Sequence, residues 1–202
     1  FSLRRNFRNT REIAEAAAVL NAYNHSVKLA EDFVDPQYTE RQGPKPIVLR
    51  CDTTDREPRA VYEKILDLVG DQTFRVSDFA ILCPTVELCQ EYQQRLHVAG
   101  LPSQIYQDED FDILEERVKV LTIHSAKGIE FPVIFVAGLH EGILPQVSYR
   151  DSKDEESILA LERQRTLLYV GMTRAAEALY LVTSAQAPSS FIREVAHVTC
   201  EE

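Results

Sequence analysis

With 202 residues, 45% of them hydrophobic, the chain can bury one substantial core and sits toward the upper end of single-domain length. Its formal charge of −10 argues against a surface built to attract nucleic-acid phosphates, although the acids gather at 108–116 and 151–156 while Arg4, Arg5, Arg8 and Arg11 form a basic start. No apolar run reaches the ~18 residues of a membrane span, residues 1–8 are basic rather than signal-like, and Cys51, Cys83, Cys89 and Cys200 form no CxxC pair, so the expectation is a reduced, cytoplasmic protein with no metal site and no membrane partner.

The first residue is Phe rather than Met, which points to a piece of a longer protein. Asn9 is expected to cap an opening helix, since Glu12 follows three residues later and Ile13, Ala16, Ala17 and Leu20 recur on one face. Gly43-Pro44-Lys45-Pro46 marks a loop, and the apolar run 47–49 reads as a first buried strand. The spacing of Val61, Ile65 and Leu68 predicts a helix, 79–83 a second strand, and Val86, Cys89, Tyr92 and Leu96 another helix, closed by the loop Gly100-Leu101-Pro102. Runs 118–123 and 133–137 read as two more strands. A polar loop at 146–156, a helical face of Ile158, Leu161 and Leu168, a strand at 178–182 and a last helix from Ser189 or Ser190 complete the chain. Strand alternating with helix implies an α/β fold, a parallel sheet covered by helices on both faces. Ligands in such sheets collect at the carboxyl ends of strands, so the residues just after each apolar run are the first candidates.

The stretch 118–131 carries the most chemistry. A buried strand ends in Thr122, His124 and Lys127, Gly128 permits a close turn, and a second apolar strand begins almost at once. Polar groups set between core strands are costly unless they meet a partner, and phosphate or sugar fits that need. The pattern T-x-H-x-x-K-G-I-E-F followed by G-x-x-E-G-x-x-P at 118–145 resembles motif V of UvrD/Rep/PcrA-type superfamily I DNA helicases, with Ile129 where that family commonly has Leu. Leu3-Arg-Arg-Asn-Phe-Arg8-Asn9 is similar to motif IV (L-x-x-N-Y-R-S), with Phe7 for Tyr and Asn9 for Ser. Leu168-Tyr-Val-Gly-Met-Thr-Arg-Ala175, within a motif VI region at 162–175, resembles Y-V-[GA]-[ILM]-T-R-A, and Pro188-Ser-Ser-Phe-Ile looks like the P-S-R-F-L that often follows.

The resemblance implies a second RecA-like motor domain over 1–202, P-loop NTPase-like but without its own phosphate loop, since no G-x-x-x-x-G-K-[ST] occurs. It implies that ATP with Mg²⁺ is held mainly by a first RecA-like domain of the same parent chain, and that Arg8 and Arg174 reach the phosphates as arginine fingers. Phe7 would stack beneath the adenine, Glu130 would contact the ribose or a neighbouring loop, and Gly128 would let the backbone approach the nucleotide. Thr122 and His124, with Lys127 as a further binding candidate, would hold single-stranded DNA without reading its bases. The implied activity is ATP-driven DNA unwinding, 3′ to 5′, with this chain inactive alone.

Gln164 and Thr166 depart from the family's usual E-R-R-L-x-Y helix and remove one ion-pair opportunity. The interval 9–121 is too short for the large accessory domain that well-known members insert there, so that domain is expected to be absent. Two alternatives stay open: a non-catalytic interaction module, which the acidic balance favours, and the motor part of a nuclease–helicase fusion.

Overall fold

The computed structural model describes residues 8–24, 39–108, 111–146 and 154–202. In chain order the elements are α1 (Arg11–Ala22), β1 (Ile47–Cys51), α2 (Glu57–Gly70), β2 (Phe79–Cys83), α3 (Val86–Val98), β3 (Ser103–Ile105), β4 (Val118–Thr122), β5 (Phe131–Val136), α4 (Glu155–Met172), β6 (Ala175–Ser184), α5 (Ser190–Val195) and β7 (Cys200–Glu201). All seven strands join one sheet in the order β3-β4-β2-β5-β6-β1-β7, and every pairing is parallel.

Side chains on a strand alternate between faces, and this sheet buries both. On β2, Ala80 and Leu82 join a core with Ile13, Ala17 and Leu20 of α1, Leu168 and Met172 of α4, and Phe191 of α5. Phe79, Ile81 and Cys83 face the other way, against Val61 and Ile65 of α2 and Cys89, Tyr92 and Leu96 of α3. Phe135 and Tyr180, register partners on β5 and β6, stack in this second core with ring centroids 4.6 Å apart. The expected α/β architecture with helices on both faces is therefore present.

Three local expectations are corrected. Asn9 does not cap α1: Thr10 holds the N-cap position, and the Asn9 amide instead donates to the carbonyls of Thr173 and Ala175. Glu12 likewise reaches across the chain, accepting from the Gly43 amide at 2.8 Å. The polar loop ends sooner than 156, because Asp154 caps α4 by accepting from the Ser157 amide; residues 147–153 lie outside the described set. Val86 and Ile158, in the first turns of α3 and α4, are exposed rather than part of the buried helical faces. The two short edge strands, β3 and β7, were not anticipated.

The chain leaves β4 at the carboxyl end of the sheet and must enter β5 at the amino end, with β2 lying between them. Residues 123–130 make this return without a helix, through successive turns in which Ala126 N donates to Thr122 O, Lys127 N to His124 O and Ile129 N to Ala126 O. Gly128 adopts φ +86°, the left-handed region that favours glycine.

Past β5, Gly138 has φ +74°, and a Cβ built there would lie 2.5 Å from Leu88 Cδ2 and 3.1 Å from Pro84 Cδ. Gly138→Ala is therefore expected to combine left-handed strain of ~1–2 kcal/mol with overpacking of ~1–3 kcal/mol, a loss readable as a lower midpoint in urea unfolding. A midpoint within error of the parent would show that α3 yields freely at Leu88.

Candidate nucleotide and nucleic-acid site

Residues from three distant segments meet at the amino tips of β5 and β6. Arg8 forms an ion pair with Glu130, the residue before β5, and the two side chains are 38% and 36% exposed. Phe131 N donates to Arg174 O at 3.1 Å, which sets Glu130 beside the residue that joins α4 to β6. Asn9, next to Arg8, bonds the carbonyls on both sides of Arg174. The sheet thus brings Arg8, Glu130 and Arg174 into one neighbourhood, although they lie at opposite ends of the sequence.

The arginines differ in setting. Arg8 stands at the surface, held by a carboxylate that an incoming anion could displace. Arg174 is 1% exposed; its Nε donates to Val170 O at 3.1 Å and Nη2 to Thr173 Oγ1 at 3.4 Å. Its guanidinium is folded back over the last turn of α4, so contact with an external phosphate requires a new rotamer. Phe7 lies outside the described residues.

Thr122, His124 and Lys127 are grouped differently. Thr122 closes β4 at the carboxyl end of the sheet, about 17 Å from the amino end for a five-residue strand. Its hydroxyl contacts Ser125 Oγ at 2.8 Å and accepts from Ser125 N at 3.1 Å, so Thr122 shapes the turn that presents His124. His124 and Lys127 are both exposed on that turn. The expectation that candidates sit at carboxyl strand ends holds for Thr122 and His124 and is corrected for Glu130 and Arg174, because the return segment 123–130 and the end of α4 both finish at the amino edge.

The sequence reading missed a buried polar cluster at the carboxyl end. Glu57 of α2 lies 2.7 Å from His140 Nε2 and accepts from the Tyr92 hydroxyl at 3.3 Å, while His140 Nδ1 is 3.4 Å from Ser184 Oγ. Burial, then the Glu57 charge, raises the Tyr92 phenol well above its ordinary value, and burial with Glu57 and Asp52 pushes the Cys51 thiol up to about 11. Cys51 is accordingly a poor nucleophile at neutral pH. Among the described residues no group of three or more His, Cys, Asp or Glu could hold a metal ion, and no helix is long and apolar enough to cross a membrane.

Comparison with known proteins gives a consistent placement. The chain is 42% identical over 97 residues to the ATP-dependent DNA helicase PcrA of Leuconostoc citreum, and 34% identical over 88 residues to PcrA of Staphylococcus epidermidis. These matches cover 43% and 39% of this chain but 12% of each relative, so the chain corresponds to a small part of those proteins. A crystal structure of the C-terminal domain of a possible DNA helicase from Lactobacillus plantarum superposes with a TM-score of 0.67 at 19% identity, covering 96% of this chain and 97% of that one, which establishes a shared fold. The family model for the UvrD-like helicase C-terminal domain matches residues 1–112 and 106–186, nearly the whole span from the basic start to the end of β6, and the chain belongs to that family.

Proposed function

We propose that this chain, as one motor domain over 1–202 without an inserted accessory domain, is the second motor domain of an ATP-dependent DNA helicase. It completes a nucleotide site begun on a first RecA-like domain and grips single-stranded DNA at a separate surface. The meeting of Arg8, Glu130 and the backbone of Arg174 at one sheet edge carries this reading, since a binding module has no use for two arginines in one neighbourhood. Their fixed positive charge suits the negative charge that spreads over phosphoryl oxygens during transfer. ATP and Mg²⁺ rest mainly on the first domain, and this chain supplies charge rather than a phosphate cradle. Glu130 holds Arg8 until a phosphate competes for it and contacts the ribose; Gly128 lets the backbone approach the nucleotide, and Phe7 supplies the face for the base.

His124 and Lys127, shown to solvent by the Thr122–Ser125 turn, take the DNA backbone. An imidazole and a lysine side chain bond phosphate without reading sequence, as a stepping motor requires. The return segment 123–130 ties this grip to the nucleotide edge, so closure of the ATP cleft shifts it along the strand, and the family resemblance implies that the direction is 3′ to 5′.

ATP hydrolysis tests the reading directly. The isolated chain is expected to show none, and the complete protein to show hydrolysis stimulated by single-stranded DNA; a complete protein whose ATPase ignores DNA would overturn it. His124→Ala is expected to weaken single-strand affinity while leaving the DNA-free ATPase unchanged, and equal affinity across a salt series would remove His124 from the grip.

A further inference from the structure

Arg174 occupies the junction between α4 and β6, where the last helical carbonyls have no partner inside the helix. Thr173 and Ala175 are both buried, so their carbonyls need donors from elsewhere in the fold. The Asn9 side chain, itself 0% exposed, supplies them: Nδ2 donates to Thr173 O at 2.9 Å and to Ala175 O at 2.6 Å. The carbonyl between these two, that of Arg174, accepts from Phe131 N at 3.1 Å. Three consecutive carbonyls around Arg174 are thus held, two of them by the residue that follows Arg8 in the chain.

We propose that Asn9 is a positioning residue, a brace that fixes the backbone of Arg174 relative to Arg8 so that both guanidiniums address one phosphate group. The proposal rests on the reading of Arg174 as a phosphate contact. An amide is suited to the task because one planar NH₂ presents two donors at a fixed angle, which a hydroxyl cannot do. Asn9→Asp keeps the shape and replaces those donors with an oxygen facing two carbonyls. The Arg174 backbone must then move, and displacement of a catalytic group by about 1 Å costs on the order of 10²-fold in rate.

The experiment is a mutant cycle in the complete two-domain protein, read by single-turnover and steady-state ATP hydrolysis at saturating single-stranded DNA. Asn9→Asp is expected to lower kcat by roughly 10²-fold with little change in KM for ATP. Asn9→Ser, which keeps one donor and matches the residue common in motif IV, falls between it and the parent and runs the cycle if Asn9→Asp does not fold. In an Arg174→Ala background either Asn9 substitution should add about twofold or less, because its effect passes through the absent arginine. Full multiplication of the two effects overturns the brace, since a merely structural Asn9 would act independently of Arg174, and an unchanged kcat for Asn9→Ser overturns it too. Normal hydrolysis by Arg174→Ala alone overturns the phosphate-contact reading, and the brace with it, a result separable from the others because it needs no change at Asn9.

Discussion

Arg174→Ala in the complete protein is expected to lower kcat for DNA-stimulated ATP hydrolysis by about 10³- to 10⁵-fold, the range over which arginine fingers act in related phosphoryl transfers. Binding of single-stranded DNA should be unchanged, because the proposed contact His124 follows Thr122 at the other end of the sheet. Arg174→Lys should recover only a small part of the loss, since an ammonium restores one charge but not the planar fork that spans two oxygens. The buried rotamer seen here sharpens the expectation. Breaking the Arg174 bonds to Val170 and Thr173 has a cost that only a strong anion can offset, so the guanidinium should swing out with triphosphate bound and not with diphosphate. Protection of the 170–175 segment from hydrogen exchange should therefore differ between an ATP analogue and ADP. Parental hydrolysis by Arg174→Ala would remove the residue from the chemistry and leave it as a helix-end side chain.

Arg8 is expected to behave differently under the same assay. Its exposed pair with Glu130 is worth little to folding, as half-solvated ion pairs contribute ~0–1 kcal/mol. Arg8→Ala should thus leave unfolding nearly unaltered while slowing hydrolysis, which separates a functional arginine from a structural one.

The elements legible in the sequence were those whose burial forces an unbroken apolar run. Phe79–Cys83 reads straight from composition because it is an interior strand between β4 and β5 and is covered on both faces. Ser103–Ile105 and Cys200–Glu201 carry no such signature, since edge strands of three and two residues are too short to show an apolar run. Asn9 with Glu12 three residues on has the local pattern of a helix cap, and the local reading lost to two buried carbonyls more than 160 residues away that offered the amide a stronger use. The site divides in the same way. Motif resemblance singled out Arg8, Glu130 and Arg174, but only the parallel topology explains how the start of the chain reaches the end of α4, or why Thr122 and Glu130, eight positions apart, face opposite ends of the sheet. The Glu57–His140 contact and the partner of Arg165 were invisible because nothing in a one-dimensional pattern tells a buried ion from a solvated one.

Arg165 yields the largest expected loss of stability. It lies in α4 with its guanidinium buried, making two bonds of 2.8 Å to the Glu194 carboxylate of α5 and one of 2.7 Å from Nη1 to Asn24 Oδ1, and it packs over the Phe191 ring at 5.2 Å. The sequence suggested that this helix had lost an ion pair through Gln164 and Thr166; the pair that matters runs instead to a helix 29 positions downstream. Glu194→Ala leaves a buried cation without its counter-charge and should cost about 3–5 kcal/mol, a large share of the ~5–15 kcal/mol that holds a typical domain together. The double variant Arg165→Met/Glu194→Leu removes both charges and should regain most of that loss, because apolar side chains of similar volume need no desolvation offset. Urea unfolding of the parent, Glu194→Ala and the double variant decides the matter: a Glu194→Ala loss below about 1 kcal/mol would mean that water reaches the pair and screens it as it screens a surface bridge. Where the loss is as large as expected, the packing of α4 against α5 depends on one buried pair.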